Sequence, residues 1–574
     1  MIVPMKHLDL VCVASEREAT LERLRGLGAV HLDLASASSA PVAAAEGELS
    51  DAEKAVRLVL KARGRRTDLE IRPRSVAEVL AVDEDRATLA AEKDRLERVI
   101  RDLEPYGDFD PALAQSLRDR VDGLDEVVDL PKKLPEMRLS RLREKLARVE
   151  NRISIDMEKL ASVDEKAILA AFPALRNRIA FEQARELLAD HGAVSVVTGW
   201  IPVSRVKELM DIVTSAKSDL FERTRAIGWG VLLRDAAPGE TPPTLIEPPK
   251  MFRPVKVLFE GLGIAPAYTE ADVSVPFMCY FSLFFAMLVG DGAYGAIFLA
   301  ATLALRKRLP SAWFTLLAVF SSATVAWGLL SNTWFGAAIP WCAGWPTVKW
   351  LADPSYHNMM MLCFTIGVSH LMLARIWNGV CRLPDSTSLA EFGWAGILLF
   401  MYFVTNSIVG IFHGIPKPMF WVFGVSLLLV FGFTVKPSEL KTRGAELGML
   451  PLNVMSALGD IISYVRLFAV GLASVKVAEN FNSMATGLVA GADAIWMKAL
   501  MSVAMVAILL VGHGLNIAMA GLSILVHAVR LNTLEFSNHK GVSWAGYAFR
   551  PFRRQVSVAK SVDTRYGQLQ LKEE

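Results

Sequence analysis

The sequence predicts a mainly α-helical chain in two parts. The first is an N-terminal soluble unit of α+β lobes joined by an antiparallel coiled-coil hairpin. The second is a C-terminal polytopic bundle of about seven or eight transmembrane helices, the last two long. Three observations predict this. Of 574 residues, 52% are hydrophobic and 21% charged, with a mean hydropathy of +0.34, too apolar for an ordinary soluble chain and too charged for one wholly in lipid. The charge is segregated: Arg, Glu, Asp and Lys crowd the chain up to about Lys250, and apolar blocks run from Val273 to Phe536. Between them lies Asp235-Ala-Ala-Pro-Gly-Glu-Thr-Pro-Pro-Thr244, followed by Pro248-Pro249, a composition suited to a linker. The expected domains are therefore 1–249, with a shortened distal lobe at about 68–137, then 250–549, then a basic tail at 550–574.

Within the first domain, Leu8-Asp-Leu-Val-Cys-Val13 reads as a strand, 16–24 as a helix and Ala29-Val-His-Leu-Asp-Leu34 as a second strand, a β-α-β unit. A matching unit is expected from a helix at 181–189, a buried strand at 191–201 and a helix at 202–216. Between the two, Leu139, Leu142, Leu146, Val149 and Ile153 alternate three-and-four, with Leu160 restoring the register, and Leu89, Leu96, Val99 and Leu103 give a weaker counterpart. Two such seams predict the hairpin; the alternative is single charged helices lying on a globular core.

In the second domain the apolar blocks fall near 276–305, 312–335, 359–380, 392–412, 420–435, 448–477 and 495–534, many close to the ~20 residues of a spanning helix. Basic residues cluster at Arg306-Lys-Arg308, at Arg375 and Arg382, at 436–443, and at Arg550, Arg553, Arg554 and Lys560. Placing these clusters in the cytoplasm, as the positive-inside tendency asks, leaves one block too few before Arg306. Gly290-Asp-Gly-Ala-Tyr-Gly295 sits mid-block and resolves the count if it turns the chain back as a broken helix pair; the alternative is one straight helix containing glycines.

Several chemistries are excluded. A net charge of +2, from 62 Lys+Arg against 60 Asp+Glu, gives no reason to expect nucleic acid. Five cysteines without C-x-x-C spacing argue against a disulfide framework or a zinc site. No long apolar run precedes Lys6, so a secretory signal is not expected. There is no Gly-Lys dipeptide and hence no P-loop, and no H-E-x-x-H or G-x-S-x-G. Neither a cofactor, a metal site nor a catalytic residue is expected.

Two arginines carry the functional argument. Arg466 lies deep in an apolar helix and Arg530 toward the end of the last block. An intramembrane Arg costs at least ~2.5–3.5 kcal/mol on insertion scales and is never deprotonated, so it needs a carboxylate, a water-filled cavity or a partner subunit. Gly459, Ser463, Ala469 and Ala473 share its stripe, and small residues allow another helix to approach. Arg530 shares a polar stripe with Asn516, Ser523 and His527, extended by Ser537. The structural alternatives are an Arg466–Asp460 pair and an Arg530 that snorkels to the interface. Lone His370, His413 and His513 read as bundle hydrogen-bonders rather than metal ligands.

Ser463-Tyr-Val-Arg-Leu-Phe-Ala469 is similar to the S-Y-x-R-L-x-A motif, and His527-Ala-Val-Arg-Leu531 with Glu535-Phe536 to the H-x-x-R-L…E-F motif, of the a-type (I) subunit of V-type and A-type rotary ATPases. Phe284-Phe-Ala-Met-Leu-Val-Gly-Asp-Gly-Ala-Tyr-Gly295, Pro242-Pro-Thr244, Pro266-Ala-Tyr-Thr-Glu-Ala-Asp272, Met1-Ile-Val-Pro-Met-Lys6, Leu27-Gly-Ala-Val-His-Leu32 and Gly199-Trp-Ile-Pro202 extend the resemblance over nearly the whole chain. It implies a membrane stator packed against a ring of rotor helices, each with one carboxylate, which ions reach through two offset half-channels. Arg466 and Arg530 would face the ring, with Asp460, Ser463, Asn516, Ser523, His527 and Glu535 as half-channel candidates and Gly459, Ala469 and Ala473 packing against the rotor. It also implies a central-stalk cap and peripheral-stalk subunits as partners besides the lipid bilayer. Catalysis would lie on other subunits, and the location would be a prokaryotic plasma membrane with the first domain and the C-terminus cytoplasmic. Ala520 and Ser474 depart from a Glu and a His of eukaryotic members, Asp272-Val-Ser274 replaces a common Asp-Pro-Thr, and the passage from Leu103-Glu-Pro-Tyr-Gly-Asp-Phe-Asp-Pro111 to the return helix is short. The alternative from another class is a membrane receptor or secondary transporter with a cytosolic interaction domain.

Overall fold

A computed structural model of the chain describes residues 1–32, 39–64, 71–120, 134–213, 229–351, 353–436, 444–490 and 495–554. The chain divides into two units. Of the described residues, one comprises those in Lys6–Ile201, Arg205–Asp235 and 550–554; the other comprises those in Met1–Met5, Pro202–Ser204 and Ala236–Phe549.

The first unit holds one sheet of four strands, β1 (Met5–Val13), β2 (Ala189–His191), β3 (Val194–Pro202) and β4 (Gly230–Asp235), in the order β2-β3-β1-β4. The alternation of β1 sets its register: Leu8, Leu10 and Cys12 are buried, and Leu8 pairs antiparallel with Leu233 of β4. Beneath the sheet, Leu21 and Leu24 of α1 (Arg17–Leu27) join Val30, Ala184, Val197, Leu209 and Phe552 in one core.

This corrects the expectation of two β-α-β units. The run 29–32 is buried yet makes only one isolated bridge, His31 to Trp200, and 33–34 lie outside the described residues. The expected strand 191–201 is the second arm of a hairpin that turns at Gly192, where φ is +71°, a conformation glycine adopts without a Cβ clash. The strands near Val11 and Val196 are neighbours in a single sheet. Strand β4 had no counterpart in the sequence reading. The helix expected over 202–216 begins with a 3-10 turn at Val203–Arg205 and continues as α-helix over 206–213; 214–216 lie outside the described residues.

The long helices of this unit are α2 (Ala40–Arg63), α3 (Val76–Leu103), α4 (Leu139–Ala161) and α5 (Glu165–Glu186). Ser75 caps α3, its hydroxyl accepting from Glu78 N–H at 3.3 Å, and Asp164 caps α5 through Lys166 N–H. Leu96 and Leu103 of α3 pack on Leu139, Leu142 and Val149 of α4, with Leu89, Val99, Leu146 and Ile153 partly buried beside them. Lys93 pairs with Glu150 at 2.7 Å and Glu104, just past α3, with the earlier Arg143 at 2.7 Å, so the two helices are antiparallel; Glu92–Lys145 adds a third pair at 2.6 Å. A hydrogen bond from Arg138 holds the Asp110 carboxyl below its ordinary range. Leu160 leaves this seam for a second cluster with Ala52, Val56 and Val59 of α2 and Ile168 and Phe172 of α5. Much of the distal segment, 121–133, lies outside the described residues.

The second unit is a helical bundle whose core is rich in Phe, Leu and Met. Helices α6 (Ser274–Val289) and α7 (Gly292–Ala304) are bent by 119° at the break between them. The break has a local cause: Gly290 at φ +70° ends α6 in the left-handed region, and Asp291 starts α7 by accepting from Ala293 N–H at 2.8 Å. Its other oxygen accepts from Gly336 N–H, and Thr333 donates to Gly290 O at 2.6 Å, so the broken backbone is satisfied inside protein.

The other long helices are α8 (Ser311–Ser331), α9 (His357–Arg382), α10 (Ser388–Ile408), α11 (Lys417–Phe433), α12 (Leu450–Ile462), α13 (Val465–Ala490) and α14 (Trp496–Lys540). Among the described residues five helices are long and apolar enough to cross a membrane, counting α12 and α13 as one of 41 residues, and six if the bent pair is one span. Against the seven or eight expected, α11 is the shortfall, at 17 residues. Helix α14 carries two π-helical stretches, Ile524–Ala528 and Leu531–Phe536, on either side of Arg530. The expected linker is partly ordered: Thr244 bridges Ala548, and Ile246 bridges Ile2. Of the basic tail, Arg550 N–H donates to His31 Nδ1 and Phe552 N–H to Val30 O; 555–574 lie outside the described residues.

Candidate functional site

Helices α13 and α14 cross with polar side chains facing one another. In order, Asp460 (the end of α12) meets His539 at 2.9 Å, Arg466 meets Glu535 at 2.9 Å, Ser474 meets Asn516 at 3.1 Å and Asn482 meets His513 at 3.2 Å. The numbers rise on one helix and fall on the other, so the two are antiparallel. From Asp460 to Asn482 the ladder spans roughly 33 Å at 1.5 Å per residue, about the thickness of a bilayer's hydrocarbon core.

At its centre Glu535 Oε1 faces both arginines, Arg466 at 2.9 Å and Arg530 Nε at 3.3 Å. The side chain of Glu535 is 5% exposed, that of Arg466 22% and that of Arg530 55%. Arg466 therefore pairs with Glu535 and not with Asp460. The π stretches around Arg530 are a feature often found at functional sites, and they shift side-chain phase relative to an ideal α-helix.

Two polar clusters flank this centre along the helix axes. On one side Asp460 accepts from His539, Arg375 Nε donates to His539 Nδ1 at 3.0 Å, and Glu391 binds Arg375 at 3.1 Å and Arg382 at 2.9 Å. Lys540 donates to Asn378 at 2.6 Å and lies 4.4 Å from the Trp377 ring. On the other side Asn516 donates to Tyr294 Oη at 3.1 Å and to Ser474 O at 2.9 Å, and Tyr294 Oη lies 2.7 Å from His513. His370, expected as a bundle hydrogen-bonder, contacts Tyr464 Oη at 2.9 Å.

The small residues on the Arg466 stripe, Gly459, Ala469 and Ala473, are exposed, and Ser463 is half-buried. The second stripe does not hold together as read. Ser523 and His527 are half-buried and Arg530 is exposed, but Asn516 and Ser537 point inward, each 1% exposed. Asn516 is held by Tyr294 and Ser474; Ser537 donates to Asn532 O across a π turn. Sequence reasoning missed Arg375, Glu391, His539, Tyr294 and Tyr464 as members of these networks. Glu391, at the edge of an apolar block and nine residues past Arg382, was the available signal. Among the described residues no group of three or more His, Cys, Asp or Glu is placed to hold a metal ion.

Such a fold and charge centre define a multi-pass helical membrane protein with charged side chains paired inside its bundle. The chain is 31% identical to the V-type ATP synthase subunit I of Borreliella burgdorferi, over 66% of this chain and 63% of that protein. It is 28% identical to the V-type ATP synthase subunit I 1 of Treponema pallidum, over 97% of this chain and 100% of that protein. Identity to the A-type ATP synthase subunit I of Methanocaldococcus jannaschii is 23%, over 73% and 64%. No family model matches the chain. The chain is a homologue of subunit I of the V-type and A-type ATP synthases, as its arginine motifs imply.

Proposed function

We propose that the protein is the membrane stator of a rotary ATPase or ATP synthase and couples proton or sodium translocation to rotation of a carboxylate-bearing ring. The observation that carries this reading is the pair Arg466 and Arg530, brought to one centre from two helices beside exposed Gly459, Ala469 and Ala473. A permanently charged guanidinium forces a passing carboxylic acid to ionise, and small residues let a partner helix come close enough for that to happen. The two flanking clusters serve as half-channels. The one at Asp460, His539, Arg375 and Glu391 opens to the cytoplasm, since Arg382 and the Asp385–Lys436 pair lie on that side. The one at Ser474, Asn516, Tyr294 and His513 leads toward the other face as a hydrogen-bonded path closed to bulk water.

On this reading residues 1–249 form a cytoplasmic arm, the α3–α4 pair acts as a coiled-coil lever toward a peripheral stalk, and the sheet lobe meets the central-stalk cap. Residues 250–549 form the translocation domain in a plasma membrane, and ATP chemistry belongs to other subunits of the complex. The test is Arg466→Ala in the assembled complex: ATP-driven ion transport should disappear while assembly is retained. Arg466→Lys should also be badly impaired, because a desolvated Lys can lose its proton and lacks the planar fork. Normal transport by either variant refutes the assignment.

A further inference from the structure

Glu535 does more than line a path. Its Oε1 is shared by both guanidiniums, while its buried Oε2 has no hydrogen-bond partner among the described residues. A buried carboxylate oxygen with no partner is costly unless something else brings donors or a proton to it. Two arginines against one carboxylate leave one positive charge uncompensated at the centre, and Arg530 presents it at the exposed side.

We infer that Glu535 is a resident counter-carboxylate: it holds Arg466 and Arg530 in register and sets the charge of the centre so that one ionised rotor carboxylate neutralises it. This rests on the stator reading and assigns Glu535 a positioning role within it. Without Glu535 an arriving carboxylate would meet two uncompensated guanidiniums. Attraction between opposite unit charges a few ångströms apart in a low-dielectric site is many times thermal energy, so a second uncompensated charge converts a passing contact into a trap. Glu535 also supplies a waiting partner: as the rotor carboxylate departs, the guanidinium it leaves returns to Glu535 and is not stranded in lipid. Between the two π turns of its helix, Arg530 sets its Nε on the same oxygen that Arg466 Nη2 contacts from the neighbouring helix.

The experiment uses the complete complex reconstituted in vesicles, with ATP hydrolysis and ion pumping measured together. Glu535→Gln should lower both by at least about tenfold with their ratio unchanged, because the ring stalls on the arginines and does not slip. Glu535→Asp keeps the charge and should recover most of the rate. Wild-type pumping by Glu535→Gln overturns the inference, and so does hydrolysis that continues while pumping stops, which marks a damaged interface. Should Glu535→Gln fail to assemble, Glu535→Asp decides: coupled pumping supports the charge role, and failed assembly or uncoupling overturns it. Arg466→Ala is run in parallel. An inactive Arg466→Ala beside a normal Glu535→Gln rejects only the counter-carboxylate, whereas a normal Arg466→Ala rejects the stator reading itself.

Discussion

At the scale of the residue, a charge inside an apolar run is visible in one dimension, and its partner is not. Arg466 and Arg530 stood out because each interrupts a hydrophobic block. Arg530 lies five residues from Glu535 on one helix, but Arg466 reaches it only through an antiparallel helix crossing, which no local pattern encodes. Asn516 shows the opposite limit. Its angle on an ideal helix placed it with Arg530, but an amide with four hydrogen-bonding positions turns toward Tyr294 and Ser474, because an unpaired amide beside lipid costs more than a small change of direction. A labelling pattern follows. A cysteine at Ser523 should react with a water-soluble thiol reagent in the assembled complex, and cysteines at Asn516 and Ser537 should be protected. Cysteines at Leu515, Leu522 and Leu525, which face outward from the bundle, should react slowly because that face meets lipid. Rapid labelling at Asn516 would show that its cluster is open to water without gating.

At the scale of the element, the broken pair α6–α7 was legible because glycine and aspartate within an apolar block have few other uses. Its tertiary reason was not. A Cβ on Gly292 would lie 3.0 Å from the Cα of Gly328 and 3.1 Å from the Trp334 ring, so α7 and α8 touch backbone to backbone. Gly292→Val should therefore force the two helices apart at a cost of about 1–3 kcal/mol, read as a lowered unfolding temperature in detergent. Gly424→Ala, at an open helical position, should leave it unchanged. In the sheet unit the error ran the other way. The run 29–32 is apolar because it is buried against the sheet core, and a buried extended segment has the composition of a strand without a ladder to join. Strand β4 was passed over because its half-exposed alternation, with Leu232 on the outer side, carries a weak signal.

At the scale of the whole molecule, the two units are not consecutive stretches of chain. Met1–Met5 and Pro202–Ser204 belong with the helical bundle, and residues 550–554 belong with the sheet unit. Phe552 is 4% exposed in the core that holds Leu8, Leu10 and Val30, and its N–H donates to Val30 O. Phe552→Ala should cost the sheet unit about 3–5 kcal/mol, measured as increased protease cleavage near β1 in the purified protein. An unchanged digestion pattern would show that this aromatic ring adds nothing to the core. The same ring imposes an order on biosynthesis. Domains ordinarily settle one after another as they leave the ribosome, yet the core begun by β1 must wait for a side chain made only after the entire membrane bundle has been translated. A chain stopped short of Phe552 would carry a first unit whose core lacks that ring.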